Sequence, residues 1–141
     1  MDIGLDEVRV EGYNMLLDYP NKTNPNLVQI FASNGTKIWE SHYKEEGVDD
    51  PNFIDAFNAY SKSGSVDGNP VYVNFGTIED FQWLQREHPD IMKDQICLAR
   101  YGAIFRGNKA ENAAAFGCKG LIIFSDPSQM AQVRCLFLAF C

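Results

Sequence analysis

Two kinds of apolar spacing divide the chain. Leu27-Val28-Gln29-Ile30-Phe31 and Lys37-Ile38-Trp39 flank Asn34-Gly35, a dipeptide that tolerates positive φ at both positions and so suits a tight primed turn. A hairpin is predicted there. Residues 41–68 lose periodicity and gather Glu45, Glu46, Asp49, Asp50, Pro51, Ser61, Ser63, Gly64 and Gly68. That composition belongs to a long exposed connection, with one helical turn near Phe53–Phe57. Beyond it the pattern sharpens. Val71–Phe75 reads as a strand, and Thr77-Ile78-Glu79-Asp80 as a capping box whose side chains satisfy the orphan amides of a helix start. Ile78, Phe81 and Leu84 fall on one helical face, and the helix should stop near His88 because Pro89 cannot continue the amide ladder. Ile96–Ala99 is a second strand. Asn108–Phe116 is a small-residue helix closed by Gly117 in a left-handed cap, and Leu121–Phe124 is a third strand, ended by Ser125-Asp126-Pro127. A β-α-β-α-β core sheet with right-handed crossovers, following a mainly β first half, makes the fold class mixed α and β.

Composition narrows the function classes. A chain of 141 residues, 45% hydrophobic and 13% aromatic, can bury a sizeable core in one globular domain. Twelve basic against nineteen acidic residues leave a net charge of -7, which repels phosphate backbones, so no nucleic-acid partner is expected. The longest apolar run, Cys135–Cys141, is far below the roughly 20 residues of a spanning helix. Met1–Asp6 has neither a basic nor an apolar leader region, so the residues alone default to the cytosol. Cys97, Cys118, Cys135 and Cys141 form no CxxC and no metal-like spacing. A disulfide scaffold and a zinc ribbon are therefore not expected, and Cys97, inside the apolar run Ile96–Ala99, reads as a small buried thiol.

Candidate chemistry is sparse. Gly102-Ala103-Ile104-Phe105-Arg106-Gly107-Asn108-Lys109 lies between a strand and a helix, as a phosphate loop would. Asn108, however, separates the second glycine from the lysine, and Ala110 stands where a hydroxyl should meet magnesium. The glycines are read as turn residues. His42 and His88 belong to no metal pair or nucleophile elbow, and the acidic residues 45–50 lack calcium-loop spacing. No catalytic residue and no metal ligand is assigned. Two N-glycosylation sequons occur, Asn21-Lys22-Thr23 and Asn34-Gly35-Thr36, the second at the hairpin tip, where a glycan would meet solvent.

Several segments, taken in order and spacing, carry a resemblance. They are Tyr19-Pro20-Asn21-Lys22-Thr23, Val71-Tyr72-Val73-Asn74-Phe75, Glu79-Asp80-Phe81, Ala99-Arg100-Tyr101-Gly102, Phe105-Arg106-Gly107-Asn108-Lys109 and Ser125-Asp126-Pro127. Together they resemble the glutamate carboxypeptidase, or N-acetylated-alpha-linked acidic dipeptidase, family from about Gly4 to Pro127. The resemblance implies a protease-associated (PA) domain over residues 17–127, preceded by the end of a peptidase-domain segment at 1–16 and followed by a divergent tail at 128–141. The related transferrin receptors share the Asn74–Thr77 type of segment, but Phe105–Lys109 is closer to the peptidase branch.

What the resemblance implies is a non-catalytic lid and substrate-recognition module of a zinc-dependent carboxypeptidase acting on acidic peptides. The alternative is a stand-alone PA-type module that binds protein or peptide. The family's zinc ligands and catalytic glutamate lie beyond Cys141, so this chain is not expected to be an enzyme or to carry a cofactor, zinc belonging to the parent. In the peptidase branch the arginine matching Arg106 contacts the carboxylate of the substrate's C-terminal glutamate, and a guanidinium on a turn can grip a carboxylate bidentately. Arg100 is read as structural. The implied partners are the parent's peptidase domain and its acidic peptide, and the implied location is the extracellular side of a membrane, with no signal or anchor in the chain. The tail residues Cys135–Cys141 are uniformly apolar, which predicts self-association unless they are buried.

Overall fold

The structure is a computed structural model that describes Gly4, residues 7–42, Gly47, Asp50 and residues 52–127. The chain divides into two compact units, one ending at Ser63 and one beginning at Gly64. In the first unit, strands β1 (Gln29–Phe31) and β2 (Lys37–Glu40) pair antiparallel. The predicted hairpin is present, but its turn is not of the primed two-residue kind. Gly35 takes φ +81 while Asn34 does not enter the positive region. Gly35 N–H closes a turn on Ala32 O at 2.9 Å, and Ala32 N–H bonds Thr36 O at 2.8 Å. One left-handed glycine after an ordinary turn makes the three-residue hairpin loop, and the register shifts between Ile30 and Phe31 accordingly. The helical turn expected near Phe53–Phe57 does not form. Most of the acidic run at 45–50 and the whole tail from 128 lie outside the described residues.

The second unit carries β3 (Pro70–Tyr72), α1 (Ile78–Glu87), β4 (Ile96–Arg100), α2 (Arg106–Ala115) and β5 (Gly120–Phe124). The three strands form a parallel sheet in the order β3-β4-β5, as the alternating β and α pattern requires. Val71, Val73, Phe81, Leu84, Met92, Cys97, Ala99 and Ala113 make the core, and Phe81 stacks on Phe116 with ring centroids 5.2 Å apart. Full burial of a side chain such as Phe81 contributes about 2–3 kcal/mol.

Local chemistry sets the boundaries. Thr77 caps α1: its Oγ1 accepts from Asp80 N–H at 3.2 Å, while Asp80 Oδ2 accepts from Thr77 N–H at 3.0 Å, the reciprocal box the sequence predicts. His88 ends the helix and bonds back to Leu84 O. Of the predicted apolar face, Phe81 and Leu84 are buried but Ile78 is exposed. At the other helix, Gly117 (φ +84) closes α2, with Cys118 N–H on Ala113 O and Gly117 N–H on Ala114 O, the paired bonds of a glycine C-cap. Several predicted boundaries move. β3 stops at Tyr72 rather than Phe75, because Asn74 (φ +50) and Gly76 (φ +65) turn the chain out of the sheet. β4 runs on to Arg100. α2 begins at Arg106 rather than Asn108, on an N-cap Phe105 that has no capping side chain.

The reading of Cys97 as a free thiol is corrected. Cys97 and Cys118 form a disulfide, with Cα atoms 6.0 Å apart and a sequence separation of 21. Cys97 faces the core from the middle strand, and the chain leaving Gly117 passes beside it. Tertiary folding makes this juxtaposition, so no local spacing announces it.

Candidate functional site

The loops leaving β3 and β4 meet at the carboxyl end of the parallel sheet, where open α/β sheets commonly place their ligands. The first loop is Asn74-Phe75-Gly76-Thr77. Asn74 takes a left-handed backbone that its short amide tolerates, and its side chain joins two elements. Its Nδ2 donates to Asp80 Oδ1 at 2.9 Å, and its Oδ1 accepts from Arg100 Nη2 at 2.7 Å. Arg100, at the end of β4, also pairs through Nη1 with Asp126 Oδ2 at 3.0 Å, and its Cζ lies over the Phe75 ring, 4.0 Å from the centroid. Arg100 thus ties the segment after β5 to the loop after β3 and the cap of α1. That is the structural role expected of it.

The second loop runs from Tyr101 to Phe105. Gly102 (φ +100) and Ala103 (φ +61) both hold left-handed backbone, and for alanine that conformation carries strain. Lys109, three residues into α2, lies beneath this turn with no solvent exposure. Its Nζ donates to Phe75 O and to Gly102 O, the latter at 2.7 Å. One ammonium therefore bridges both loops. Burial pushes its pKa below the ordinary 10.5, and the Asp80 carboxylate acts in the opposite direction. Asn112, one turn further along α2, donates to Gly76 O at 3.0 Å. A Cβ on Gly76 would sit 3.4 Å from Ala99 Cβ and 3.5 Å from Lys109 Cβ.

Arg106 is exposed at the first position of α2, a helical start rather than the turn position expected of it. Its Cζ stands 5.6 Å from the centroid of the Phe105 ring, and among the described residues its guanidinium makes no hydrogen bond or ion pair. An uncommitted guanidinium beside the uncapped amides of a helix start offers several donors to an anion. Sequence reasoning placed Arg106 in this chemistry but missed Lys109, reading its segment only as a failed phosphate loop. The available signal was helical spacing: Lys109, Ala113 and Phe116 recur on one face, and the last two pack in or against the core.

Both sequon asparagines are exposed. Asn34 Oδ1 accepts from Thr36 N–H at 3.0 Å. Asn21 Oδ1 accepts from Thr23 N–H at 3.0 Å and from the Thr23 hydroxyl at 2.8 Å. His42 and His88 are exposed. Among the described residues no three His, Cys, Asp or Glu side chains come together, and Cys97 and Cys118 are bonded to each other. Among the described residues no helix is long and apolar enough to cross a membrane.

A profile of the PA domain matches residues 56–136, more than half of the chain. Similar proteins include the rat (Rattus norvegicus) Aminopeptidase NAALADL1, 34% identical over 137 residues that take in 94% of this chain and 18% of the relative. The Caenorhabditis elegans Glutamate carboxypeptidase 2 homolog is 37% identical over 140 residues, 93% of this chain and 18% of the relative. The human (Homo sapiens) Transferrin receptor protein 2 is 30% identical over 128 residues, 91% and 15% respectively. The chain thus spans under a fifth of the length of these curated relatives. The parallel sheet with its two helices, the loops at its carboxyl end and the matched profile lead to one assignment: the chain belongs to the PA domain family.

Proposed function

We propose that this chain serves as the non-catalytic recognition module of a larger zinc-dependent carboxypeptidase acting on acidic peptides, in which Arg106 receives the C-terminal carboxylate of the peptide. The observation that carries this reading is the exposed Arg106 guanidinium at the start of α2, free of protein acceptors among the described residues. A guanidinium is always charged and matches a carboxylate with two parallel donors. The names of the relatives, two peptidases among them, agree with such a parent. The peptidase domain is the proposed partner and the source of zinc.

The same reading places the module outside the cytosol. The Cys97–Cys118 bond needs an oxidising compartment to persist, and Asn21 and Asn34 stand exposed in intact sequons. Both are proposed to carry glycans on the extracellular side of a membrane. The non-catalytic part of the proposal is tested by incubating the purified chain with a dipeptide ending in glutamate, with and without added zinc. No release of glutamate is expected in either arm. Zinc-dependent release would overturn it.

A further inference from the structure

We propose that Lys109 is the positioning residue of the Arg106 carboxylate site: its buried ammonium staples the Gly102–Phe105 turn to the Phe75 loop and so fixes the helix start that presents Arg106. The proposal rests on the carboxylate reading of Arg106 and adds the device that holds it.

Burying an ammonium is costly unless its donors are satisfied. Here the satisfying groups are two backbone carbonyls, Phe75 O and Gly102 O, and no carboxylate bonds the amine among the described residues. The acceptors come from different loops, so the amine does what neither loop does for itself. Gly102 O also accepts Ile104 N–H at 2.8 Å, which makes it the hinge of the turn. Between these bonds sit Gly102 at φ +100 and Ala103 at φ +61. A non-glycine residue keeps such a backbone only where its surroundings over-determine it, and Lys109 supplies that constraint from below. Phe105, next along, has no side-chain cap to offer the helix. The placement of Arg106 therefore depends on the staple three residues later. Without it the turn can relax toward ordinary φ values, and the guanidinium loses its fixed origin and the preorganisation that favours binding.

The test uses the full chain. Hydrogen exchange is followed at the Ile104 amide and, as an internal reference, at sheet amides of β4. In the wild type Ile104 should be strongly protected. Lys109→Met should speed its exchange by about tenfold or more while leaving the β4 amides unchanged, a pattern that general destabilisation would not produce. Titration with N-acetylglutamate, read at the Arg106 Nε–H resonance, should be weakened at least about threefold by Lys109→Met. Lys109→Gln, which keeps a neutral donor on a shorter arm, should fall between. Equal exchange at Ile104 in wild type and variant overturns the inference. An Ile104 amide unprotected in the wild type overturns it as well, and that measurement needs no variant to fold. If Arg106→Gln binds N-acetylglutamate as well as the wild type, the carboxylate reading fails while the exchange data still decide the staple.

Discussion

The Arg100 guanidinium lies over the Phe75 ring, 4.0 Å from its centroid, and this stacking joins the end of β4 to the loop that follows β3. Two further bonds from the same group, to Asn74 Oδ1 and Asp126 Oδ2, use the planar fork that a lysine lacks. Arg100→Lys is therefore expected to lower stability by about 1–2 kcal/mol. Urea unfolding checks it: a midpoint equal to that of the wild type would contradict the bridging role.

The disulfide joins cysteines with a sequence separation of 21, a loop length for which the chain-entropy account gives about 3 kcal/mol. Cys97→Ser with Cys118→Ser should lower the unfolding free energy by about that amount. Reductant should lower the wild-type midpoint and leave the double variant unmoved.

Lys109 gives a pH signature. Its pKa is lowered in the fold, first by burial and against the pull of Asp80, so the folded chain binds this proton less tightly than the unfolded chain. Between the lowered value and the ordinary 10.5 the unfolded state holds more protons, and this group's contribution to stability rises with pH through that window. The Lys109→Met variant has no such group. The stability difference between the two proteins should therefore move in favour of the wild type from neutral pH to about pH 10. A difference that is flat across that range would contradict the assigned burial.

Asn34 occupies an exposed hairpin loop. Routed through a secretory pathway, the chain should show a glycosidase-sensitive increase in apparent mass that becomes smaller in Asn34→Gln and smaller again when Asn21→Gln is added. A mobility insensitive to both substitutions and to the glycosidase would count against the proposed compartment.

Elements with local causes were the legible part of this fold. The Thr77–Asp80 box, the stop at His88 and the Gly117 cap each depend on residues within a few positions of one another, and all three appear where the pattern puts them. The parallel order β3-β4-β5 follows from alternating strands and helices in the same way. What sequence could not convey depends on contacts made at a distance. Cys97 meets Cys118 only after β4 and α2 have packed. The shortened β3 reflects Asn74 taking a left-handed backbone so that its amide can reach both Arg100 and Asp80. At the candidate site Arg106 was visible through resemblance. Lys109 was obscured because a lysine in a loop-like motif suggests a phosphate or solvent, and only the folded chain supplies the two carbonyls that hold it.

The proposed contribution of Arg106 to carboxylate recognition in a larger peptidase can be read in a domain exchange. This chain replaces the corresponding segment of the Caenorhabditis elegans Glutamate carboxypeptidase 2 homolog, to which it is 37% identical, and hydrolysis of a peptide ending in glutamate is measured with and without Arg106→Ala. Losing a charge-assisted, two-donor contact should raise KM about tenfold or more, with a smaller effect on kcat. An exchanged enzyme whose KM is the same with arginine or alanine at position 106 would show that Arg106 does not bind the carboxylate.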